Sequence, residues 1–141
     1  SRDLEPFRAA IAAGAPLVMS SHALYPALDR RRIASQSPAV LDELLRRRLG
    51  FRGAVVTDSL EAEAVLRRSR VDVAAVRSLR AGADLLLMTG PGSFGAVRDR
   101  VLATARRDPA LRRRVDAAAE RVLVVKARLG LERSKAPQGV R

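Results

Sequence analysis

The sequence predicts an α/β fold in which short parallel strands alternate with helices. Three compact apolar runs, at residues 16–20, 54–56 and 84–88, have the length of buried strands. Helical periodicity separates them, and strands that alternate with helices indicate right-handed βαβ units and a parallel sheet. Three strands make a poor free-standing sheet but a natural portion of a (β/α)₈ barrel, which needs about 250 residues in full. We therefore expect the C-terminal part of a TIM barrel, about three βα units, plus a long C-terminal helix.

The first two helices are predicted from their ends and from the spacing of their apolar residues. Pro6 stands in an acidic first turn, and Gly14 is a natural stop for the first helix. Ser37 is the expected N-cap of the second helix, with Pro38 at its first position. Leucines three and four residues apart within residues 41–49 give this second helix a buried stripe.

The second half of the chain is predicted to be mostly helical. One helix spans residues 71–81 and ends at Gly82, and another covers residues 94–105. Asp108 then caps a long helix whose apolar residues alternate spacings of four and three, which suits packing on a neighbouring helix or sheet. The composition turns to Lys, Pro, Gly and Arg near the end, which predicts a flexible tail or linker over residues 132–141.

The composition restricts the class of protein. The 141 residues carry a formal net charge of +12, and all but Lys126 and Lys135 of the 27 basic residues are arginines. No aromatic residues are interleaved with the arginine runs to stack on bases, so a nucleic-acid partner is not predicted. The lack of cysteine excludes disulfides and thiolate metal sites, and no other cluster of metal ligands occurs. No apolar run approaches the roughly 20 residues of a membrane-spanning helix.

The stretch that carries most chemical information is residues 51–61, in which the second strand stops at Thr57, Asp58 and Ser59. In α/β folds the carboxyl ends of the strands carry ligands and catalytic groups, so Asp58 is a candidate catalytic carboxylate. A simpler interpretation is that Asp58 caps the helix predicted to start near Leu60. The residues alone leave both interpretations open.

Several short motifs occur together along the chain: LEPFRAAI at residues 4–11, VMSSH at 18–22, LGFRG at 49–53, VVTDSLE at 55–61 and AGADLLL at 81–87. In this order they resemble family 3 glycoside hydrolases, and they are most similar to the β-N-acetylhexosaminidase branch. The resemblance covers residues 1–131, and it implies that this segment is the C-terminal part of the family's barrel domain.

The resemblance implies retaining hydrolysis of terminal β-linked N-acetylhexosamine from peptidoglycan- or chitin-derived saccharides, without a cofactor or a metal. Asp58 is then the nucleophile, which forms a glycosyl-enzyme intermediate. We expect the hydroxyls of Thr57 or Ser59 to donate hydrogen bonds that keep this carboxylate ionised. The acid/base residue of this branch is expected on a His-containing loop that would precede residue 1. The isolated chain should therefore be inactive, and poorly folded or self-associated because a cut barrel exposes strand edges.

Two other residues near this strand end have both a functional and a structural interpretation. His22, the single histidine, is either a substrate contact to a sugar hydroxyl or acetamido group or a hydrogen-bonded structural imidazole. Glu61 is a conceivable acid, but its place on the following predicted helix favours a solvated or salt-bridged carboxylate. The glycine-rich residues 89–93 resemble a phosphate-cradling loop, although the lysine of such loops is absent.

Three alternatives to the hexosaminidase prediction remain. One is a β-glucosidase-type member of the same family, and a second is a non-catalytic carbohydrate-binding remnant, which the missing acid/base loop motivates. The third is a basic nucleic-acid binder, which the net charge motivates. In the first two cases the expected partner is a saccharide. The sequence leaves the oligomeric state open, and it leaves the location open between cytoplasmic and secreted because Ser1 is not an initiator methionine.

Overall fold

The computed structural model describes residues 2–131, and this part of the chain has a mixed α/β structure. Its α-helices are, in chain order, α1 (Glu5–Ala12), α2 (Glu63–Leu66), α3 (Val71–Ala81), α4 (Ser93–Arg107) and α5 (Pro109–Arg128). The strands are β1 (Leu17–Ser20) and β2 (Ala54–Thr57). Further helical segments are a 3₁₀ turn at Arg2–Leu4, another at Ala34–Gln36 and a π-helix at Ala39–Arg48.

The two strands pair in parallel, as the alternation of apolar runs and helices predicts. Val18 lies opposite Val55 in the register, and Ser20 lies opposite Thr57. Both strands therefore end at the same edge of the sheet. The chain between them includes the π-helix, so the pair forms one crossover unit of the kind expected in a parallel sheet.

The third predicted strand, residues 84–88, is reduced to one parallel bridge between Leu85 and Val56. The segment does run beside β2, because the Thr57 amide donates to the Leu85 carbonyl at 3.0 Å. The ladder then breaks, since the amide of Leu87 donates to the Thr57 hydroxyl at 3.1 Å instead of to a backbone carbonyl. A side-chain acceptor replaces the next rung of the ladder, and the regular strand ends there.

Helices cover one face of the strands, and the other face is exposed at β1. Val18 and Val55 pack with residues of the π-helix, while Leu86 packs against all three apolar clusters of the core. On the opposite face of β1, Leu17 and Met19 are 41% and 57% exposed. Alternation along the strand thus places one apolar side chain in the core and its neighbours outside it.

The helix ends follow the sequence prediction at one site and depart from it at another. Asp108 caps α5, because its carboxylate accepts from the amides of Ala110 and Leu111 at 2.9 and 3.2 Å. Ser37 stands directly before a helix that starts at Pro38, as predicted, and its carbonyl accepts from the Leu41 amide at 3.0 Å, but its side chain does not cap the helix. The Ser37 hydroxyl donates to Asp29 at 2.8 Å, and this tertiary partner replaces the local one.

Asp84 is the most buried carboxylate of the fold and lies at the amino end of β2. Its side chain is 0% exposed, and it pairs with three arginines: Arg46 at 2.5 Å, Arg114 at 2.7 Å and Arg121 at 3.3 Å. The Val55 amide adds a hydrogen bond of 2.9 Å to the same carboxylate. Burial holds the pKa of Arg46 below its ordinary value, although the charge of Asp84 opposes that shift. The cluster ties the π-helix, the sheet and α5 together.

Among residues 2–131, none of the helices combines the length and the apolar composition needed to cross a membrane. The predicted tail at residues 132–141 lies outside the described residues.

Candidate active site

Asp58 lies where β2 ends, beside the end of β1. Its amide donates to the Ser20 carbonyl at 3.0 Å, which fixes the backbone to the neighbouring strand, while its side chain is exposed. The carboxylate oxygen Oδ1 accepts from the Ser59 amide at 2.7 Å. Within the described part of the chain, Oδ2 has no hydrogen-bond partner. One oxygen is thus held in place and the other is open to a reactant.

The interpretation of Asp58 as a helix cap is wrong. The next helix, α2, begins after Ala62, and no side chain caps it. Residues 58–61 are not helical, so the local turn at Ser59 uses the Asp58 carboxylate without starting a helix. The carboxylate is therefore not needed to begin a helix, and its exposed position requires another explanation.

The hydroxyls expected to support Asp58 are directed elsewhere. The Thr57 hydroxyl accepts from the amide of Leu87 at 3.1 Å, inside the fold. The Ser59 hydroxyl lies 2.9 Å from the Thr89 hydroxyl and 3.3 Å from the Glu61 amide, which donates to it. The donor to Asp58 is the Ser59 backbone amide. Sequence reasoning missed it because a backbone donor depends on the turn that follows the strand.

His22 is buried between the two strand ends, with 9% of its surface exposed. Its Nδ1 lies 2.8 Å from the Ser35 hydroxyl, and its Nε2 lies 2.8 Å from the Ser59 carbonyl. A carbonyl oxygen only accepts, so Nε2 carries the proton and donates to it. In the neutral ring, Nδ1 then accepts from Ser35. Both ring nitrogens thus have partners within the chain, and one of these partners is the residue that holds Asp58.

Glu61 does not lie on a helix, contrary to the sequence interpretation, and it forms no salt bridge within residues 2–131. It lies in the turn before α2. Its carboxylate accepts a hydrogen bond of 2.7 Å from the Thr89 amide, and it also accepts from the Gly90 amide and from the Ser93 hydroxyl. The hydrogen bond from Ser93 and that from Gly90 lower the pKa of the Glu61 carboxyl below its ordinary value. Neutral donors thus stabilise the ionised form, in which Glu61 has no proton to supply as an acid.

The loop at residues 89–93 does resemble an anion cradle, as its glycines suggest. The donors that a phosphate would use, at Thr89, Gly90 and Ser93, are occupied by Glu61. The cradle therefore holds an internal anion. The sequence signal that could have identified this contact is the presence of a glutamate three residues after the strand-end aspartate and a Gly-Pro-Gly loop after the next apolar run.

The described residues supply a single catalytic carboxylate candidate with a free oxygen at this edge of the sheet. Residues 2–131 contain no group of three or more histidines, aspartates or glutamates that could hold a metal ion. Chemically, the arrangement can offer an exposed carboxylate oxygen on a rigid strand end, supported by a buried imidazole and a clamped loop.

The comparisons with known proteins bear on this geometry. The model of the glycosyl hydrolase family 3 N-terminal domain matches residues 1–125. A β-hexosaminidase of Stenotrophomonas maltophilia strain K279a is 38% identical over 109 residues, which is 74% of this chain and 32% of that protein. A β-N-acetylglucosaminidase/β-glucosidase of Cellulomonas fimi is 39% identical in an alignment of 146 positions, which covers 90% of this chain and 24% of that protein. The chain thus spans about a quarter to a third of the length of these curated relatives.

Solved structures show the same similarity in three dimensions. The β-N-acetylhexosaminidase from Beutenbergia cavernae DSM 12333 matches 88% of this chain with 37% of its own, at 37% identity and a TM-score of 0.83. A glycoside hydrolase family 3 β-N-acetylglucosaminidase from Paenibacillus sp. str. FPU-7 matches 98% of this chain with 27% of its own, at 36% identity and a TM-score of 0.85.

Proposed function

The chain belongs to glycoside hydrolase family 3 as part of its N-terminal domain, and from this premise we propose that the protein containing it is a retaining glycoside hydrolase that removes terminal β-linked N-acetylhexosamine. The observation that carries the proposal is the exposed Asp58 carboxylate at the strand end, with Oδ1 held by the Ser59 amide and Oδ2 unpartnered within residues 2–131. Relatives whose printed names are β-hexosaminidase and β-N-acetylglucosaminidase support the sugar.

In the proposed reaction Asp58 acts as the nucleophile. Its Oδ2 forms a bond to the anomeric carbon, the bond to the leaving oxygen breaks, and an acid from outside the described residues protonates that oxygen. Water, deprotonated by the same group, then releases the sugar from the ester and restores the Asp58 carboxylate. A short side chain on a strand end suits this role, because nucleophilic reach must be held to within about 0.5 Å. The reaction needs no cofactor.

The proposed setting is the C-terminal part of a (β/α)₈ barrel, formed by residues 1–131, with residues 132–141 as a tail or linker. The exposed Leu17 and Met19 support a barrel, because their face of β1 would line its interior once further strands closed it. Polar residues at the ends of both strands agree with the catalytic face of such a barrel. The rest of the barrel and the acid/base residue would come from chain outside this segment.

His22 has two possible roles in this proposal. A contact with a sugar hydroxyl or acetamido group stays a prediction, which would require one of its nitrogens to exchange partners. The geometry supports a positioning role, in which the ring holds the Ser59 carbonyl while the Ser59 amide holds Asp58. The substrates we propose are peptidoglycan- or chitin-derived saccharides. A β-glucosidase-type activity is a second candidate, which the name of the Cellulomonas fimi relative favours.

The test uses the whole protein, expressed from its natural start codon, and its Asp58→Ala variant. Turnover of 4-nitrophenyl N-acetyl-β-glucosaminide should fall roughly 10⁴-fold or more while the fold is retained. Azide, which is small enough to enter the vacated position, should restore turnover and give the α-glycosyl azide, because a single displacement inverts the anomeric carbon. Asp42→Ala removes an exposed carboxylate of the π-helix and is the matched control.

Three results decide between the candidates. Unchanged turnover in Asp58→Ala would exclude this residue as nucleophile. Faster turnover of the corresponding β-glucoside would favour the second candidate. A folded whole protein that hydrolyses neither compound would support the carbohydrate-binding remnant instead.

A further inference from the structure

The Glu61 carboxylate accepts three hydrogen bonds from the loop at residues 89–93. It accepts from two successive amides, of Thr89 and Gly90, and from the hydroxyl of Ser93 at the start of α4. These hydrogen bonds join segments that lie 28 or more residues apart in the chain. Helix α4 has Gly92 as its N-cap and no side-chain cap of its own, so Glu61 supplies a carboxylate where that helix would otherwise lack one.

The backbone at Gly90 approaches this carboxylate so closely that a side chain at residue 90 would displace it. A Cβ atom at Gly90 would lie 2.9 Å from the Oε1 atom of Glu61. No strained dihedral angle explains the glycine, since Gly90 is not among the glycines with positive φ. Glycine at residue 90 therefore lets the loop contact the carboxylate without displacing it.

The clamped loop is connected to the candidate nucleophile. The Thr89 hydroxyl lies 2.9 Å from the Ser59 hydroxyl. The Ser59 amide holds Asp58 at 2.7 Å, and its carbonyl accepts from His22 at 2.8 Å. Displacing the loop would therefore shift the Ser59 peptide, whose amide orients the Asp58 carboxylate.

We propose that Glu61 is a positioning residue of the active site, whose carboxylate fills the cradle of residues 89–93 and thereby holds this loop and the Ser59 peptide in the geometry that the reaction needs. The inference rests on the proposed function, and it adds a residue that touches neither the sugar nor the reacting atoms. The lowered pKa of Glu61 agrees with it, because the cradle donors favour the ionised form.

The experiment compares Glu61→Ala and Gly90→Ala in the whole protein. The first removes the carboxylate, while the second displaces it, because the new methyl group occupies its place. Glu63→Ala is the matched control, since Glu63 lies two residues away and, among residues 2–131, its side chain pairs only with the exposed Arg67. Two quantities are measured for each variant: kcat/KM for the 4-nitrophenyl substrate, and hydrogen exchange of the Thr89 and Gly90 amides.

Both test variants should lower kcat/KM about 10- to 100-fold, because misplacement of reacting groups by about an ångström has an effect of that size. The amides of Thr89 and Gly90 should exchange faster. Formate, compared with chloride at equal ionic strength, should restore activity and amide protection in Glu61→Ala, because it can enter the empty cradle. In Gly90→Ala formate should restore neither, since the methyl group blocks the position. Glu61→Gln, which keeps one acceptor oxygen, should lie between Glu61→Ala and the unsubstituted protein.

The proposal is overturned if Glu61→Ala and Gly90→Ala match Glu63→Ala in kcat/KM, or if their Thr89 and Gly90 amides stay protected. Loss of activity in Glu61→Ala that formate leaves unchanged would also overturn it, because the carboxylate in the cradle would then not be the cause. Should Glu61→Ala fail to fold, Gly90→Ala and Glu61→Gln give the same decision. If the unsubstituted protein lacks turnover, the proposed function fails, while amide exchange and its response to formate still show whether Glu61 holds the loop.

Discussion

The two ends of the short parallel sheet hold their carboxylates in opposite ways. At the amino end, Asp84 is fully buried and paired with three arginines. At the carboxyl end, Asp58 is exposed and held by one backbone amide, and Glu61 is held by two amides and a hydroxyl. Within residues 2–131, no basic side chain pairs with either Asp58 or Glu61. The charged contacts lie at one end of the sheet and the neutral contacts at the other.

This difference indicates that the buried carboxylate stabilises the fold, whereas the exposed one is available for a reaction. A buried charge must be neutralised, and Asp84 is neutralised by groups from the π-helix and α5, which join distant parts of the chain. A nucleophile must instead keep an oxygen free, and an arginine nearby would compete with the sugar for it. Barrel proteins show the same division, with stability determined at the amino end of the strands and catalysis at the carboxyl end.

The largest effect that would test this comparison is expected from Asp84→Asn. The substitution leaves three guanidinium groups close together without their shared anion, and it should lower the free energy of unfolding of the domain by about 3–5 kcal/mol. Urea denaturation of the whole protein measures this, with Asp42→Asn as the exposed control. The kcat of the folded protein should stay unchanged. A loss below about 1 kcal/mol, or a large fall in kcat, would contradict the division between the two ends.

His22→Phe should have a smaller effect that appears in both stability and activity. It leaves the buried Ser35 hydroxyl without its imidazole partner and removes one of the two donors to the Ser59 carbonyl, which keeps the Ala62 amide at 3.0 Å. The loss should destabilise the fold by about 1–3 kcal/mol. Because Ser59 orients Asp58, kcat should fall with it. Thermal unfolding and steady-state kinetics measure the two effects. A raised KM with unchanged stability and kcat would support the sugar contact instead.

The contribution of Glu61 to the stability of the fold should depend modestly on pH, with a defined sign. Its pKa is lowered in the folded protein, so its stabilising effect is fully present above the pKa of an unfolded glutamate, about 4.3. That effect should be lost as the pH falls through the lower, folded-state value. The difference in unfolding midpoint between the unsubstituted protein and Glu61→Gln, followed from pH 7 down to acid, should therefore shrink below about pH 4. A difference that grows on acidification would show the opposite linkage.

The smallest effect is expected where an ion pair lies in solvent. Arg67 and Glu63 approach to 2.5 Å on α2, but their side chains are 75% and 77% exposed. Water and salt screen such pairs, so Arg67→Ala should change the free energy of unfolding by no more than about 0.5 kcal/mol. Urea denaturation would measure it beside Asp84→Asn. An equal loss in the two variants would mean that burial does not determine the difference between them.

The sequence was sufficient to predict a structural element wherever the interactions that determine it join residues close together in the chain. Helix α3 and its stop at Gly82, with φ of 123°, follow from apolar spacing and a glycine. Asp108 capped α5 as predicted, because the acceptor and its donors lie within three residues. The position of Asp58 at the end of β2 was also readable, since an apolar run that stops at a carboxylate marks a strand end. The motifs around it led to the family that the comparisons established.

The tertiary structure decided which partner each polar side chain found. The Ser37 hydroxyl donates to Asp29 instead of capping the helix, and the Thr57 hydroxyl accepts from the Leu87 amide where a backbone carbonyl would continue the ladder. Glu61 bonded a loop 28 residues away, which no local pattern contains. Sequence spacing determines local periodicity and capping, because those interactions join neighbours along the chain. The contacts that shape this site join residues distant in sequence, and only packing of the strands and helices brings their donors and acceptors within reach.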